Sequence, residues 1–231
     1  MKKQKIIITK NGPYIVSGNI PLNKEIAEVG ASGEPEKWVE VKKYPQKQTY
    51  ALCRCGHSKN MPFCDGKHIE NFDGTETADT KPFLKQARTF EGQDIILKDV
   101  VKLCSVARFC HPKTGTWKLV IKSKKPEAKQ EAIRQACNCP AGRLVIYDKK
   151  TGQPIENKYE PSLTIIEDPQ INCSGPLWVK GGVEIESESG TKYETRNRVT
   201  LCRCGKSNNK PFCDGKHIED EFNDGDKSLK K

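Results

Sequence analysis

The chain has 231 residues, enough for one or two ordinary domains, and only 35% of them are hydrophobic while 30% are charged. That composition is lean for one large apolar core and favours small modules stabilised by metal, because metal binding supplies folding free energy directly. No stretch approaches the ~20 apolar residues of a membrane span, and the apolar run at residues 6–8 is too short for a signal-peptide core. We therefore expect a cytoplasmic protein whose 11 cysteines serve metal binding rather than disulfides.

The formal net charge of +10 indicates which class of partner the protein can bind. The lysines are scattered among 30 acidic residues, and no basic stretch is interleaved with aromatic side chains as in many nucleic-acid-binding proteins. Membrane and nucleic-acid partners are therefore disfavoured. A basic surface of this kind steers encounter with an acidic protein, so we expect a redox or cluster-acceptor partner with an acidic surface.

The first predicted elements are β-strands that lead into a dense group of metal-ligand residues. Residues 14–20 read as a strand bent at Gly18, and residues 50–52 as a second strand. The run CRCGHSKNMPFCDGKH follows, with the spacing C-x-C-x8-C-x3-H. Its candidate ligands are Cys53, Cys55, Cys64 and His68.

This spacing presents four ligands as two close pairs. A tight pair of cysteines can chelate one iron, and the later Cys and His can chelate a second iron, with inorganic sulfide bridging the two. The set therefore predicts a [2Fe–2S] site. The alternative is a structural zinc module without redox activity, although zinc knuckles usually space their first pair as C-x2–4-C.

The middle of the chain has no counterpart in the rest of the sequence. We predict strands at residues 94–97 and 117–121, a helix at residues 126–136 with Pro126 in its first turn, and a hairpin at residues 144–155. Cysteines recur here in the pairs Cys104 and Cys110, then Cys137 and Cys139. Cysteine followed by proline at the end of a helix is typical of ferredoxins.

The last part of the chain repeats the first. Residues 175–183 predict a strand bent at Gly181, residues 198–201 predict another, and the run CRCGKSNNKPFCDGKH follows. Asp65 and Asp214 are good N-cap residues, so each motif predicts a short helix with its histidine in the first turn. The ligands of this second site, at a constant offset of 149 residues, are Cys202, Cys204, Cys213 and His217.

Both motifs resemble the signature of the CDGSH iron–sulfur domain family, C-x-C-x2-(S/T)-x3-P-x-C-D-G-(S/A/T)-H. The one departure is Lys67 and Lys216, where the family mostly has a small residue that is not a ligand. The resemblance implies one [2Fe–2S] cluster in each motif, held by three thiolates and one histidine, with a redox or cluster-transfer role. Family members with one motif pair as homodimers that share β-strands, so the resemblance implies a monomer with an internal pseudo-twofold axis.

The middle region is similar to the divergent single-cluster ferredoxin-like family, which shows C-x-H-x3-C, a helix, and then CPSGAL. Cys104 and Cys110 match the first pair, and Cys139 with Pro140 matches the second step, but Val106 stands at the histidine position. The resemblance implies a third cluster, of the [4Fe–4S] or [3Fe–4S] type, with Cys137 or Cys173 as the fourth ligand. The alternative is a ferredoxin-like remnant whose cysteines are small buried hydrophobic residues.

Together these patterns predict an α+β fold, mostly β with short helices, in which two CDGSH-type modules form a pseudo-twofold unit around a ferredoxin-like insert. The predicted domains span residues 1–78, 79–170 and 171–231. The predicted function is a one-electron carrier or a cluster-transfer or redox-sensing protein. No nucleotide fingerprint or catalytic arrangement predicts an enzyme, and a role as a subunit of an oxidoreductase stays open.

Overall fold

A computed structural model describes residues 3–229. The outermost ends of the first and last predicted domains, at residues 1–2 and 230–231, lie outside the described residues. The thirteen strands among the described residues are β1 Lys5–Ile8, β2 Tyr14–Ser17, β3 Leu22–Val29, β4 Pro35–Lys43, β5 Thr49–Leu52, β6 Arg88–Glu91, β7 Ile95–Asp99, β8 Leu144–Asp148, β9 Pro154–Ile155, β10 Ser162–Asp168, β11 Cys173–Lys180, β12 Glu184–Ser187 and β13 Arg198–Leu201.

Five short helices accompany these strands, and the mostly β, α+β class predicted from the sequence is confirmed. A single 3₁₀ turn at Val101–Leu103 precedes the third helix. The helices are α1 His68–Asn71, α2 Phe83–Gln86, α3 Thr116–Ile121, α4 Pro126–Cys137 and α5 Lys216–Glu219.

The two repeated modules exchange strands. One sheet has the order β12-β1-β2-β5 and the other the order β13-β11-β10-β3-β4. Strand β12 follows β11 in the chain, yet it pairs in parallel with β1 of the first module. In the same way β3 follows β2 but pairs in parallel with β10. Each sheet therefore contains strands from both ends of the chain, and the two ends relate to each other by the predicted pseudo-twofold.

The two metal-ligand loops meet at the centre of this unit. Gly56 and Gly205 both have positive φ, +84° and +80°. A Cβ on Gly56 would lie 2.5 Å from the Cys204 carbonyl oxygen, and one on Gly205 would lie 2.5 Å from the Cys55 carbonyl oxygen. Only glycine permits both the left-handed backbone and this approach of one loop to the other.

One hydrophobic core joins the two exchanged sheets. Side chains of β1 and β2, such as Ile6 and Val16, belong to the same buried cluster as Leu163 of β10 and Leu177 of β11. In β1 and β2 buried residues alternate with more exposed ones, as expected for a sheet with one packed face. Strand β11 is buried at every position because its other face is also covered.

The middle domain is a four-stranded antiparallel sheet, β6-β7-β8-β9, with α3 and α4 packed on it. Helix α4 and the hairpin β8–β9, with Gly152 in its turn at φ +69°, occur where the sequence predicted them. The domain docks on the repeated unit through a row of aromatic rings. Phe109 lies 4.6 Å from Trp38, and Trp38 lies 5.5 Å from Trp178 of β11, between ring centroids.

The strand predicted at residues 117–121 is wrong, since the segment forms helix α3. Thr116, Leu119 and Val120 are its buried residues, a spacing of three and four that puts them on one helical face. The Thr116 hydroxyl donates to Gln135 Oε1 of α4 at 2.7 Å, inside the core. Tertiary packing against α4 therefore overrides the β-propensity of the run. No helix among residues 3–229 is long and apolar enough to cross a membrane.

Candidate metal centres

The first motif brings its candidate ligands together as two pairs. It begins where β5 ends, and the bridge from Leu52 to Phe63 folds the loop back on that strand. Cys53 Sγ lies 3.6 Å from Cys55 Sγ. Cys64 Sγ lies 3.3 Å from His68 Nδ1, because one turn of chain and the start of α1 place residues 64 and 68 on the same side.

The second motif repeats this arrangement at the end of β13. Cys202 Sγ lies 3.7 Å from Cys204 Sγ, and Cys213 Sγ lies 3.4 Å from His217 Nδ1. In each motif the residue before the proline, Met61 or Lys210, joins it through a cis peptide bond. The near-identical distances show that the local sequence, rather than its surroundings, fixes the relative positions within each pair.

Asp65 and Asp214 shape the loops without capping the helices. The helices α1 and α5 begin later than predicted, with Lys67 and Gly215 as their N-caps, so the N-cap prediction is wrong. Asp65 instead accepts from the backbone N–H of Lys59 at 2.8 Å and of Lys67 at 3.1 Å. Asp214 accepts equivalent bonds from Asn208 and Lys216, at 2.8 and 3.1 Å. Each aspartate thus clamps the loop on both sides of the third cysteine.

The arginine between the first two cysteines of each motif was not assigned a role from the sequence. Arg54 and Arg203 are both 2% exposed. Arg54 donates to the Thr9 carbonyl oxygen at 2.9 Å and to that of Gly74. Arg203 instead pairs with two carboxylates, Glu167 at 2.6 Å and Asp224. The two buried arginines therefore differ, because two carboxylates neutralise Arg203 while Arg54 donates to carbonyl oxygens.

Burial raises the pKa of Cys55 to about 11 and the pKa of Cys213 well above its usual value, which favours their neutral form. In the second motif the hydrogen bond with Cys204 has the opposite effect and lowers the pKa of Cys202 to about 6. The backbone N–H groups of Gly66 and Gly215 donate to Cys64 Sγ and Cys213 Sγ, both at 3.4 Å. Sulfurs that accept backbone N–H bonds suit thiolates bound to metal, so the donor chemistry of both motifs fits an iron–sulfur centre.

In both motifs each close contact between candidate ligand atoms joins only two residues. Within residues 3–229, no three His, Cys, Asp or Glu side chains converge closely enough to hold a single metal ion. Two separate pairs, one of thiols and one of thiol and imidazole, suit a centre with two irons.

The middle domain brings together three of its four predicted cysteines. Cys104, Cys110 and Cys139 line one pocket with Arg143. Burial, together with the smaller effect of the neighbouring thiols Cys139 and Cys104, raises the pKa of Cys110 to about 12. Arg143 donates to both oxygens of Asp99, at 2.7 and 3.0 Å, which fixes the guanidinium beside the Cys104 thiol.

Neither candidate for a fourth thiolate lines that pocket. Cys137 is the last residue of α4, and its thiol donates to the Ile155 carbonyl oxygen at 3.6 Å. The Cys173 thiol lies beside the second motif, 3.3 Å from the His217 carbonyl oxygen. Val106, at the histidine position of the ferredoxin-like family, also lines the pocket but offers no ligand atom.

The chain was compared with known families and proteins. Residues 11–69 and 174–218 match the family described as iron-binding zinc finger CDGSH type. The chain therefore contains two CDGSH-type iron-binding regions. Residues 90–149, between its two CDGSH-type regions, match the family described as divergent 4Fe-4S mono-cluster. No curated protein and no solved structure matches the chain.

Proposed function

We propose that this CDGSH-type protein is a one-electron carrier with a [2Fe–2S] cluster in each motif. The observation that carries the proposal is the repeated geometry of a thiol pair and a thiol–imidazole pair, with contacts of 3.3–3.7 Å in both motifs. The proposed ligands are Cys53, Cys55, Cys64 and His68 in the first motif, and Cys202, Cys204, Cys213 and His217 in the second.

The bound clusters would supply one-electron oxidation and reduction, at a potential above that of four-thiolate ferredoxins because a neutral imidazole replaces an anionic thiolate. The chain's own residues tune these sites. Arg54 and Arg203, both buried, tie the segment between the first two cysteines of each motif to neighbouring parts of the fold. The N–H groups of Gly66 and Gly215 stabilise thiolate over thiol. The loop clamps at Asp65 and Asp214 keep each thiol beside its histidine.

The middle domain is proposed to hold a further cluster through Cys104, Cys110 and Cys139. Three thiols that line one pocket next to the fixed guanidinium of Arg143 support this assignment. Three protein thiolates match a [3Fe–4S] cluster, or a [4Fe–4S] cluster with one iron free of a protein thiolate.

Cluster delivery to another protein is the second candidate function. The specific observation in its favour is the exposure of the first motif, where Cys64 and His68 are half-buried and Ile69 is 82% exposed. The proposed partner is a redox or cluster-acceptor protein with an acidic surface, met by a monomer with net charge +10 in the reducing cytoplasm.

Iron, zinc and acid-labile sulfide per chain, measured on protein purified without oxygen, test the proposal. We expect about four irons with equal sulfide from the two motifs, and an excess over this from the middle domain. Stoichiometric zinc without sulfide would overturn the redox function and leave a structural metal protein.

A further inference from the structure

The two CDGSH-type sites have the same ligands but different surroundings. In the first motif the third cysteine and its histidine are half-buried. In the second motif Cys213 is 3% exposed and His217 is 4% exposed. The serine that braces each loop follows the same trend, since Ser58 is half-buried and Ser207 is 2% exposed. The motif sequences are almost identical, so the difference comes from what packs on them.

The second motif is covered by a loop of the middle domain, residues 104–108. A Cβ built on Gly215 would collide with Val106 Cγ2 and lie 3.4 Å from the Cys104 carbonyl oxygen. Asn209 of the same motif donates to the Lys102 carbonyl oxygen at 3.0 Å. At the equivalent position of the first motif, a Cβ on Gly66 would meet nothing within 4 Å.

The covering loop is held in place from both of its ends. Arg108 donates to Asp168 of β10 at 2.7 Å and to Gln170 at 2.8 Å. Phe109, 1% exposed, stacks on Trp38. At the other end, the Cys104 N–H bonds to the Val101 carbonyl oxygen at 3.0 Å within the 3₁₀ turn. These contacts hold residues 104–108 in position against the second motif.

Val106 has a backbone conformation that valine rarely adopts. Its φ is +55°, in the left-handed region where a β-branched residue is strained. The conformation turns its side chain onto Gly215 of the second motif. Because the fold tolerates this strain at Val106, the contact between Val106 and Gly215 contributes to stability.

We infer that the loop of residues 104–108, with Val106 at its centre, is a cap over the second CDGSH-type site. The capped second site therefore retains its metal, while the uncapped first site exchanges its metal more readily. The inference rests on the proposed function only for the identity of the metal, because shielding acts on any metal in these ligands. An acceptor protein or a chelator would remove metal from the first motif, where His68 is half-buried and Ile69 is 82% exposed.

Site-resolved metal release from the full, metal-loaded chain tests this inference. The protein is incubated with EDTA, and samples are pulsed with iodoacetamide, which alkylates a cysteine once its metal has left. Mass spectrometry of the two peptides then follows Cys64 and Cys213 separately, normalised to their labelling in denaturant. We expect Cys64 to be labelled about tenfold faster or more, a ratio equal to about 1.4 kcal/mol of extra protection at the second site.

Val106→Gly should remove the cap while relieving the backbone strain, since glycine accepts positive φ. We expect the labelling rate of Cys213 to rise toward that of Cys64, with the Cys64 rate unchanged. Val101→Gly, which changes an exposed valine of the neighbouring 3₁₀ turn, is the matched control and should keep the parent ratio. Val106→Ala, which keeps the Cβ, should give an intermediate ratio.

Equal labelling of Cys64 and Cys213 in the parent chain would overturn the inference, as would an unchanged ratio in the folded Val106→Gly protein. Circular dichroism establishes that each variant is folded, and the parent ratio stands as a test whatever the variants do. The identity of the metal is decided separately by the iron, zinc and sulfide content. A zinc-loaded chain in which Cys64 and Cys213 are labelled at different rates would refute the proposed redox function but still support the cap.

Discussion

The Tyr14 hydroxyl donates a hydrogen bond of 2.7 Å to the Cys202 carbonyl oxygen. Tyr14 belongs to β2 of the first module and Cys202 begins the second metal loop, so the second motif depends on a residue from the other end of the chain. The bond is fully buried, and Tyr14 itself is 0% exposed.

We expect Tyr14→Phe to lower the free energy of unfolding by about 1 kcal/mol, because a buried carbonyl loses its donor. Guanidinium denaturation of the metal-loaded protein measures it. Tyr50→Phe is the control, since that hydroxyl donates to Ile20 at 2.9 Å within the first module. Only Tyr14→Phe should also speed metal loss from the second motif; equal loss in both variants would show that Tyr14 has no specific role there.

Gly56→Ala and Gly205→Ala should each cost about 3 kcal/mol or more, because the new Cβ meets a carbonyl oxygen of the opposite loop at 2.5 Å. Gly66→Ala is the matched control, with positive φ but open space around the Cβ. It should cost only the roughly 1–2 kcal/mol of a left-handed alanine. Comparable losses in all three variants, by thermal denaturation, would remove the steric part of this explanation.

Arg203→Met should destabilise the chain by about 3 kcal/mol or more, because it leaves Glu167 and Asp224 buried without their cation. Arg54→Met, which breaks bonds to carbonyl oxygens only, should cost less.

The loss in Arg203→Met should shrink as the pH falls. Burial already raises the pKa of Glu167 to about 7, although Arg203 opposes that shift, and removing the cation raises the pKa further. A neutral Glu167 no longer needs a partner, so protonation offsets part of the damage. Unfolding free energies at pH 8 and pH 6 measure this; a loss that grows toward pH 6 would contradict the assignment.

Acid should remove metal from the second motif at lower pH than from the first. Only neutral imidazole binds metal, and burial lowers the pKa of His217 to about 4, so protonation of that ring within the fold requires more acid. Pulse labelling of Cys64 and Cys213 across pH 7 to 4 measures both steps.

Replacing both histidines, as His68→Cys with His217→Cys, should remove most of the acid dependence and lower the reduction potential. If the double variant loses metal to acid as fast as the parent, histidine ligation is wrong.

In the middle domain, Cys104→Ser, Cys110→Ser and Cys139→Ser should each remove the iron that exceeds the content of the two motifs. Cys137→Ser is the control because its thiol contacts the Ile155 carbonyl oxygen instead of the pocket, and it should keep that iron. Loss of the same iron in Cys137→Ser would show that Cys137 is one of the ligands.

The local geometry of the ligand pairs can be predicted from the sequence far better than the pairing of distant strands. The pairs of each motif lie two and four residues apart, so their spacing alone brings the atoms together. The exchange of β3 and β12 leaves no comparable trace, because strand partners far apart in the chain share no pattern. The choice between Cys137 and Cys173 as a fourth ligand depends on where α4 ends and how β11 packs, which tertiary contacts decide.

The parallel pairing of Lys5 with Glu184 has a consequence for how this protein is made. The first sheet lacks its edge strand until residues 184–187 have left the ribosome, and such non-local contacts form slowly. The first metal loop is therefore synthesised long before the glycine of the second loop can pack against it. We expect both motifs to acquire their metal after translation, in one step that completes the fold.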